Sequence, residues 1–156
     1  MKANIGIPEN HLQEVAAKLN KALANETVLY IKTRNYHWNI EGPSFMELHK
    51  FYEGQYEELD EIIDNLAERI RALGHYAEGR LKDLLKLTDL EEQDYTSDSK
   101  KQLENLLNDH ETLIRLFRNL IPDIGEKNKD LGTADFITGL MEAHEKMAWM
   151  IRSYLK

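Results

Sequence analysis

Four stretches of this chain repeat apolar side chains every three or four residues, and the links between them run short, long, short. No other feature constrains the fold as much, because an apolar stripe at helical period must be buried against neighbours. The first stretch runs from about Pro8 to about Trp38, with Leu12, Val15, Leu19 and Leu23 on one side. Gly42-Pro43-Ser44 is turn chemistry, and Ser44 with Glu47 reads as a capping box that opens the second helix. That helix carries Leu48, Tyr52, Leu59, Leu66 and Ile70 and runs to about Leu73, where Gly74 offers a stop. The third follows the cap candidates Thr96-Ser97-Asp98, and Pro122 and Gly125 mark its end region. The fourth starts near Thr133 and carries Ile137, Leu140, His144 and Ile151. The middle link, 74–95, is long enough to be a crossover, and Leu81–Leu87 reads as a short helix within it. The expectation is an all-α four-helix bundle, one domain over residues 1–156, with a long crossover between helices 2 and 3.

Composition narrows the function. No run approaches the roughly 18 apolar residues of a membrane span. The opening segment MKANIGIPENHLQE lacks the apolar core of a signal peptide, so the cytoplasm is the expected location. Cysteine is absent, which removes disulfides and thiolate metal sites. The net charge of −8 argues against simple electrostatic binding to nucleic acid; it suits a protein that attracts cations, and it also simply keeps a soluble chain dispersed.

Histidine and carboxylate side chains bind divalent transition metals where they converge. Di-iron bundles usually supply them through Glu-x-x-His motifs, yet none of the 6 histidines has Glu three residues earlier. Helix 2 offers two i,i+4 pairs instead, His49 with Glu53 and Asp64 with Glu68. His49 and Asp64 lie fifteen positions apart, or roughly 22 Å along a helix, so one chain cannot bring them together. An antiparallel copy of the same helix can, giving two identical sites per dimer. His37, at the end of helix 1, would add a second imidazole. Such a sulfur-free set suits Fe(II), and Zn(II), Mn(II) or Co(II) could also occupy it. A second, weaker iron position would serve an oxidant that takes two electrons.

Asn35-Tyr36-His37-Trp38-Asn39, then Gly42-Pro43, Phe45, His49, Asp64 and Glu68-Arg69-Ile70 together resemble the Dps family of miniature ferritins (DNA-binding proteins from starved cells). The stretch from Thr133-Ala134-Asp135 through His144-Glu145-Lys146 to Trp149-Met150 is similar too, so the resemblance covers nearly the whole chain. It implies a ferritin-like bundle with ferroxidase ligands at His37, His49, Asp64 and Glu68. A further acidic position, typically Asp, is Glu53 here. It also implies hollow dodecamers, two irons per inter-subunit site with the second weakly held, and oxidation by hydrogen peroxide in preference to oxygen. The ferric product would be stored as mineral, protecting against oxidative stress.

Trp38 reads either as an interface anchor or, from the resemblance, as a radical quencher. Asp130, Asp135, Glu142 and Glu145 fall in a region that the resemblance assigns to iron-entry pores, and Asp135 matches best. Asp135 also reads as an ordinary helix-start carboxylate. His110 and His144 sit on apolar faces as core histidines, while His11 and His75 read as surface or loop residues. The alternative function is DNA compaction. Against it, the stretch before helix 1 holds only Lys2 and the chain carries no basic tail, so weak or no DNA binding is expected.

Overall fold

A computed structural model describes residues 3–156; Lys2 lies outside them. The described chain has no strand. Its helices are α1 (Glu9–Asn39), α2 (Phe45–Ala72), α3 (Leu81–Leu87), α4 (Ser99–Pro122) and α5 (Leu131–Tyr154). Helix α1 packs along α2, and α4 along α5. Leu19, Leu29, Leu59, Leu66, Leu113 and Ile151 are fully buried between them. Among the described residues, no helix is long and apolar enough to cross a membrane.

The stop after α2 forms as the sequence suggests. Gly74 takes φ +90°, its N–H donates to the Arg71 carbonyl (2.9 Å), and the His75 N–H donates to the Ile70 carbonyl (3.3 Å). These two bonds satisfy carbonyls that the helix end would otherwise orphan. At the other end of α2, the expected capping box is absent. Ser44 makes no side-chain cap bond because its backbone (φ −95°, ψ 18°) is turned out of the extended conformation a cap needs. Its carbonyl instead accepts from the Leu48 N–H (3.0 Å). Asp98 and Asp130 do cap α4 and α5, accepting from the Lys101 and Thr133 N–H groups. Pro122 does not end the third long helix cleanly: the chain continues through a π-helical turn, Asp123–Lys127.

The crossover is pinned to α1 by two asparagines. Asn20 Oδ1 accepts from the Glu78 N–H (2.7 Å) where the crossover begins. The fully buried Asn25 accepts at Oδ1 from Thr88 Oγ1 (2.8 Å) and the Asp89 N–H (2.7 Å) just past α3. Side-chain bonds of this kind give a long connection a fixed path. Between α1 and α4, Lys32 Nζ donates to Asp109 Oδ2 at 2.6 Å in a buried ion pair. The Asn105 amide donates to the Tyr36 hydroxyl at 2.7 Å. His110 and His144 are fully buried, as their apolar faces suggest, and they lie with a fully buried carboxylate, Glu26.

Candidate metal centre

The short turn after α1 folds α2 back against it and sets His37 beside His49. His37 donates from Nδ1 to the His49 carbonyl (2.7 Å), and His49 donates from Nδ1 to the His37 carbonyl (2.8 Å). A carbonyl only accepts, so each Nδ1 carries its hydrogen, which leaves Nε2 as the nitrogen whose lone pair a metal can take. The rings stack with centroids 3.7 Å apart and planes 18° apart. A backbone acceptor on one ring nitrogen is the usual device for holding an imidazole in its metal-binding tautomer. Phe45 stacks on His49 at 5.1 Å, and the Tyr56 ring meets His37 edge-on at 5.2 Å. Neither imidazole is free to swing.

Glu53 lies one helical turn after His49, and Tyr56 Oη donates to its Oε1 at 3.4 Å. Burial, then the Glu53 charge, raises the Tyr56 pKa, so the phenol keeps its proton. Arg34 lies one turn before His37. Its Nη1 donates to Tyr30 Oη (2.6 Å), and its guanidinium stands 4.8 Å from the Tyr56 ring centre and 5.4 Å from that of Trp38. The hydrogen bond to Tyr30 is the main cause of its raised pKa. This cation is held by aromatic faces at the edge of the histidine pair.

Asp64 and Glu68 are exposed farther along α2. Among the described residues, no group of three or more His, Asp or Glu side chains converges to hold a metal. The fold therefore brings His37 and His49 together, leaves Glu53 one turn away, and keeps Asp64 and Glu68 apart from them. Trp38 is 61% exposed. Asp135 is exposed at the fifth position of α5, while capping falls to the buried Asp130. The helix dipole acts mainly within the first turn, so it gives Asp135 little to do.

Sequence reading missed the backbone lock, Tyr56 and Arg34. The lock runs through carbonyls, which no residue type reveals. Tyr56 and Arg34 do stand at helical spacing from Glu53 and His37, a signal that a search for ligand types alone passes over.

The ferritin-like domain family matches residues 16–156. A Dps protein from Vibrio cholerae O1 overlays all of this chain and 98% of its own, with a TM-score of 0.93 at 32% identity. A DNA protection during starvation protein from Bacillus anthracis is 33% identical over 92% of this chain and 97% of its own length. This chain belongs to the Dps family. The chain is also similar to a low temperature-induced protein from Nostoc, 44% identical over 99% of this chain and 87% of that one. The Vibrio Dps is described as a member of a superfamily of ferritin-like diiron-carboxylate proteins. The Dps fold accounts for the crossover and for the antiparallel α1–α2 pairing that sets the two histidines side by side.

Proposed function

We propose that this Dps chain binds ferrous iron at a site shared by two copies, oxidises it, and retains the ferric product inside a hollow assembly. One observation carries the reading. His37 and His49 are locked with Nε2 free, yet Asp64 stands roughly 22 Å along the same helix from His49, and Glu68 a turn farther. An antiparallel second copy of α2 resolves the separation: His37 and His49 of one copy face Asp64 and Glu68 of the partner subunit. The exposed Trp38, Phe45 and Met46 beside the histidines supply an apolar rim for that contact.

The donor set fits iron. Neutral imidazole nitrogens and carboxylate oxygens without thiolate suit a first-row divalent ion with open positions for an oxidant. Two ferrous ions each give up one electron. Hydrogen peroxide takes both, its O–O bond breaks, and two hydroxides form. Oxygen is the slower alternative oxidant. Glu53 serves a second, more weakly held iron. The backbone lock keeps both imidazoles in the binding tautomer, and Phe45 and Tyr56 fix their planes.

The assembly is taken as twelve copies, each a single domain over residues 1–156, in the cytoplasm, where removal of ferrous iron and peroxide together protects against oxidative stress. Asp135 lines an iron-entry pore, and Trp38 anchors the interface or quenches stray radicals. With a charge of −8 per chain, direct DNA binding is weak. The test is anaerobic loading with Fe(II) followed by peroxide. Rapid ferric absorbance with one peroxide consumed for about two irons supports the reading; a chain that binds no Fe(II) refutes it.

A further inference from the structure

The bundle interior holds a second constellation of titratable groups, on three helices and away from the histidine pair. Glu26 of α1, His110 of α4 and His144 of α5 are each fully buried. His144 Nε2 donates to Glu26 Oε1 at 2.8 Å, and the Nδ1 atoms of His144 and His110 face each other at 2.9 Å. Glu26 Oε2 and His110 Nε2 have no partner. The Phe117 ring stands 5.6 Å from His144.

Proton counting limits what this chain of groups can hold. With Glu26 ionised and both imidazoles neutral, His144 donates to Glu26 and accepts from His110 Nδ1–H. One proton added at His110 Nε2 lets the Nδ1 hydrogen pass to His144, which then donates from both nitrogens: it pairs with Glu26 and His110 becomes the acceptor. With His144 already an imidazolium, a second imidazolium could only be His110. Both Nδ1 atoms would then carry hydrogens, and two cations would face each other at hydrogen-bond distance.

We infer that Glu26, His144 and His110 form a buried proton sensor, which keeps the α1–α4–α5 interface closed with at most one imidazolium and forces it open when acid adds a second. Among the described residues, the other buried acids, Asp109 and Asp130, already have partners. From α1 and α4 the other buried titratable groups are Lys32 and Asp109, already paired with each other, the Tyr36 phenol, bonded by Asn105, and His37, held on the His49 carbonyl. The only titratable group that α2 buries is the Tyr52 phenol, and α3 buries only Leu84. The π-helical turn buries Ile124 and Gly125. Burial and then the neighbouring His144 hold the His110 pKa well below its ordinary value of 6.5.

The sign follows from that depression. The unfolded chain takes up a proton on His110 below about pH 6.5 and the folded chain resists it. Stability is therefore intact above that pH and falls as acid is added, by about tenfold in the folding constant per pH unit.

Amide hydrogen exchange of the intact assembly from about pH 7.5 to about pH 5, corrected for intrinsic rates, tests this. Protection around His110 and His144 should fall about tenfold per unit below about pH 6.5, and His110→Gln, which keeps a polar partner but does not titrate, should flatten the fall. Equal slopes in the two proteins would overturn the inference. If His110→Gln does not fold, the native chain still decides: a fall confined to α1, α4 and α5 around these residues supports the sensor, and a uniform or absent fall overturns it.

Discussion

His37 and His49 each donate Nδ1–H to the other's backbone carbonyl, so two side chains from two helices are held in the same tautomer by one reciprocal pair of bonds. The lock is made entirely within one chain. It is therefore in place before any partner or metal arrives, and binding at Nε2 meets no tautomer cost.

Replacing either histidine tests both halves of that lock. His49→Ala removes a ligand and also leaves the His37 carbonyl without its donor. Iron affinity should fall by about 10- to 100-fold or more, read by anaerobic Fe(II) titration, while circular dichroism still reports a helical fold. Native affinity in His49→Ala would remove His49 from the site.

Glu53 is assigned to the second iron. Glu53→Ala should leave one tightly bound ferrous ion per site and remove the weaker one, turning a two-step titration into one step. Tyr56 would lose its acceptor in this variant, so Tyr56→Phe is the control and should keep both steps. Two steps in Glu53→Ala would free Glu53 of that role.

The Lys32–Asp109 pair lies in the wall between α1 and α4. Burial raises the Asp109 pKa, and Lys32 only partly opposes the rise. Lys32→Met strands a buried carboxylate and should cost about 3–5 kcal/mol by urea unfolding at neutral pH, whereas Lys32→Met with Asp109→Leu should recover most of that loss. A single variant as stable as the native chain would show that the pair is open to solvent.

Gly74 carries the stop that ends α2. A Cβ there would impose a left-handed strain and would stand 3.2 Å from Ala3 Cβ. Gly74→Ala should cost about 1–2 kcal/mol, measured by thermal unfolding, without altering iron binding.

A net charge of −8 leaves little attraction for a polyanion. Gel shifts at near-neutral pH should show weak retention of duplex DNA that disappears with moderate salt. Clear, salt-resistant retention would reinstate DNA compaction.

Helix positions and connectivity were legible because apolar period, the Gly74 stop and the Asp98 cap are local signals, whereas the Asp130 cap, which starts α5 at Leu131, was not read. Leu81–Leu87 stood out as a short helix for the same reason. Ser44 misled because its residue type fits a cap while the Gly42-Pro43 turn sets a backbone angle that does not. The π-helical turn after Pro122 was hidden, since proline marks a helix end but not the conformation of the residues beyond it. At the candidate site, the ligand types and their spacing pointed to His37, His49, Glu53, Asp64 and Glu68. The carbonyls that orient the imidazoles, and the link of Glu26 to His144 across 118 positions, arise only from packing.

The central claim is that one site takes its imidazoles from one subunit and its carboxylates from another, and subunit mixing tests it most directly. His49→Ala and Asp64→Ala assemblies should each oxidise Fe(II) slowly with peroxide. A mixed dimer has both lesions in one site and none in the other, so random co-assembly in equal amounts should restore fast oxidation at about one quarter of the sites. Verified mixed dimers that stay as slow as the two parents would contradict a shared site.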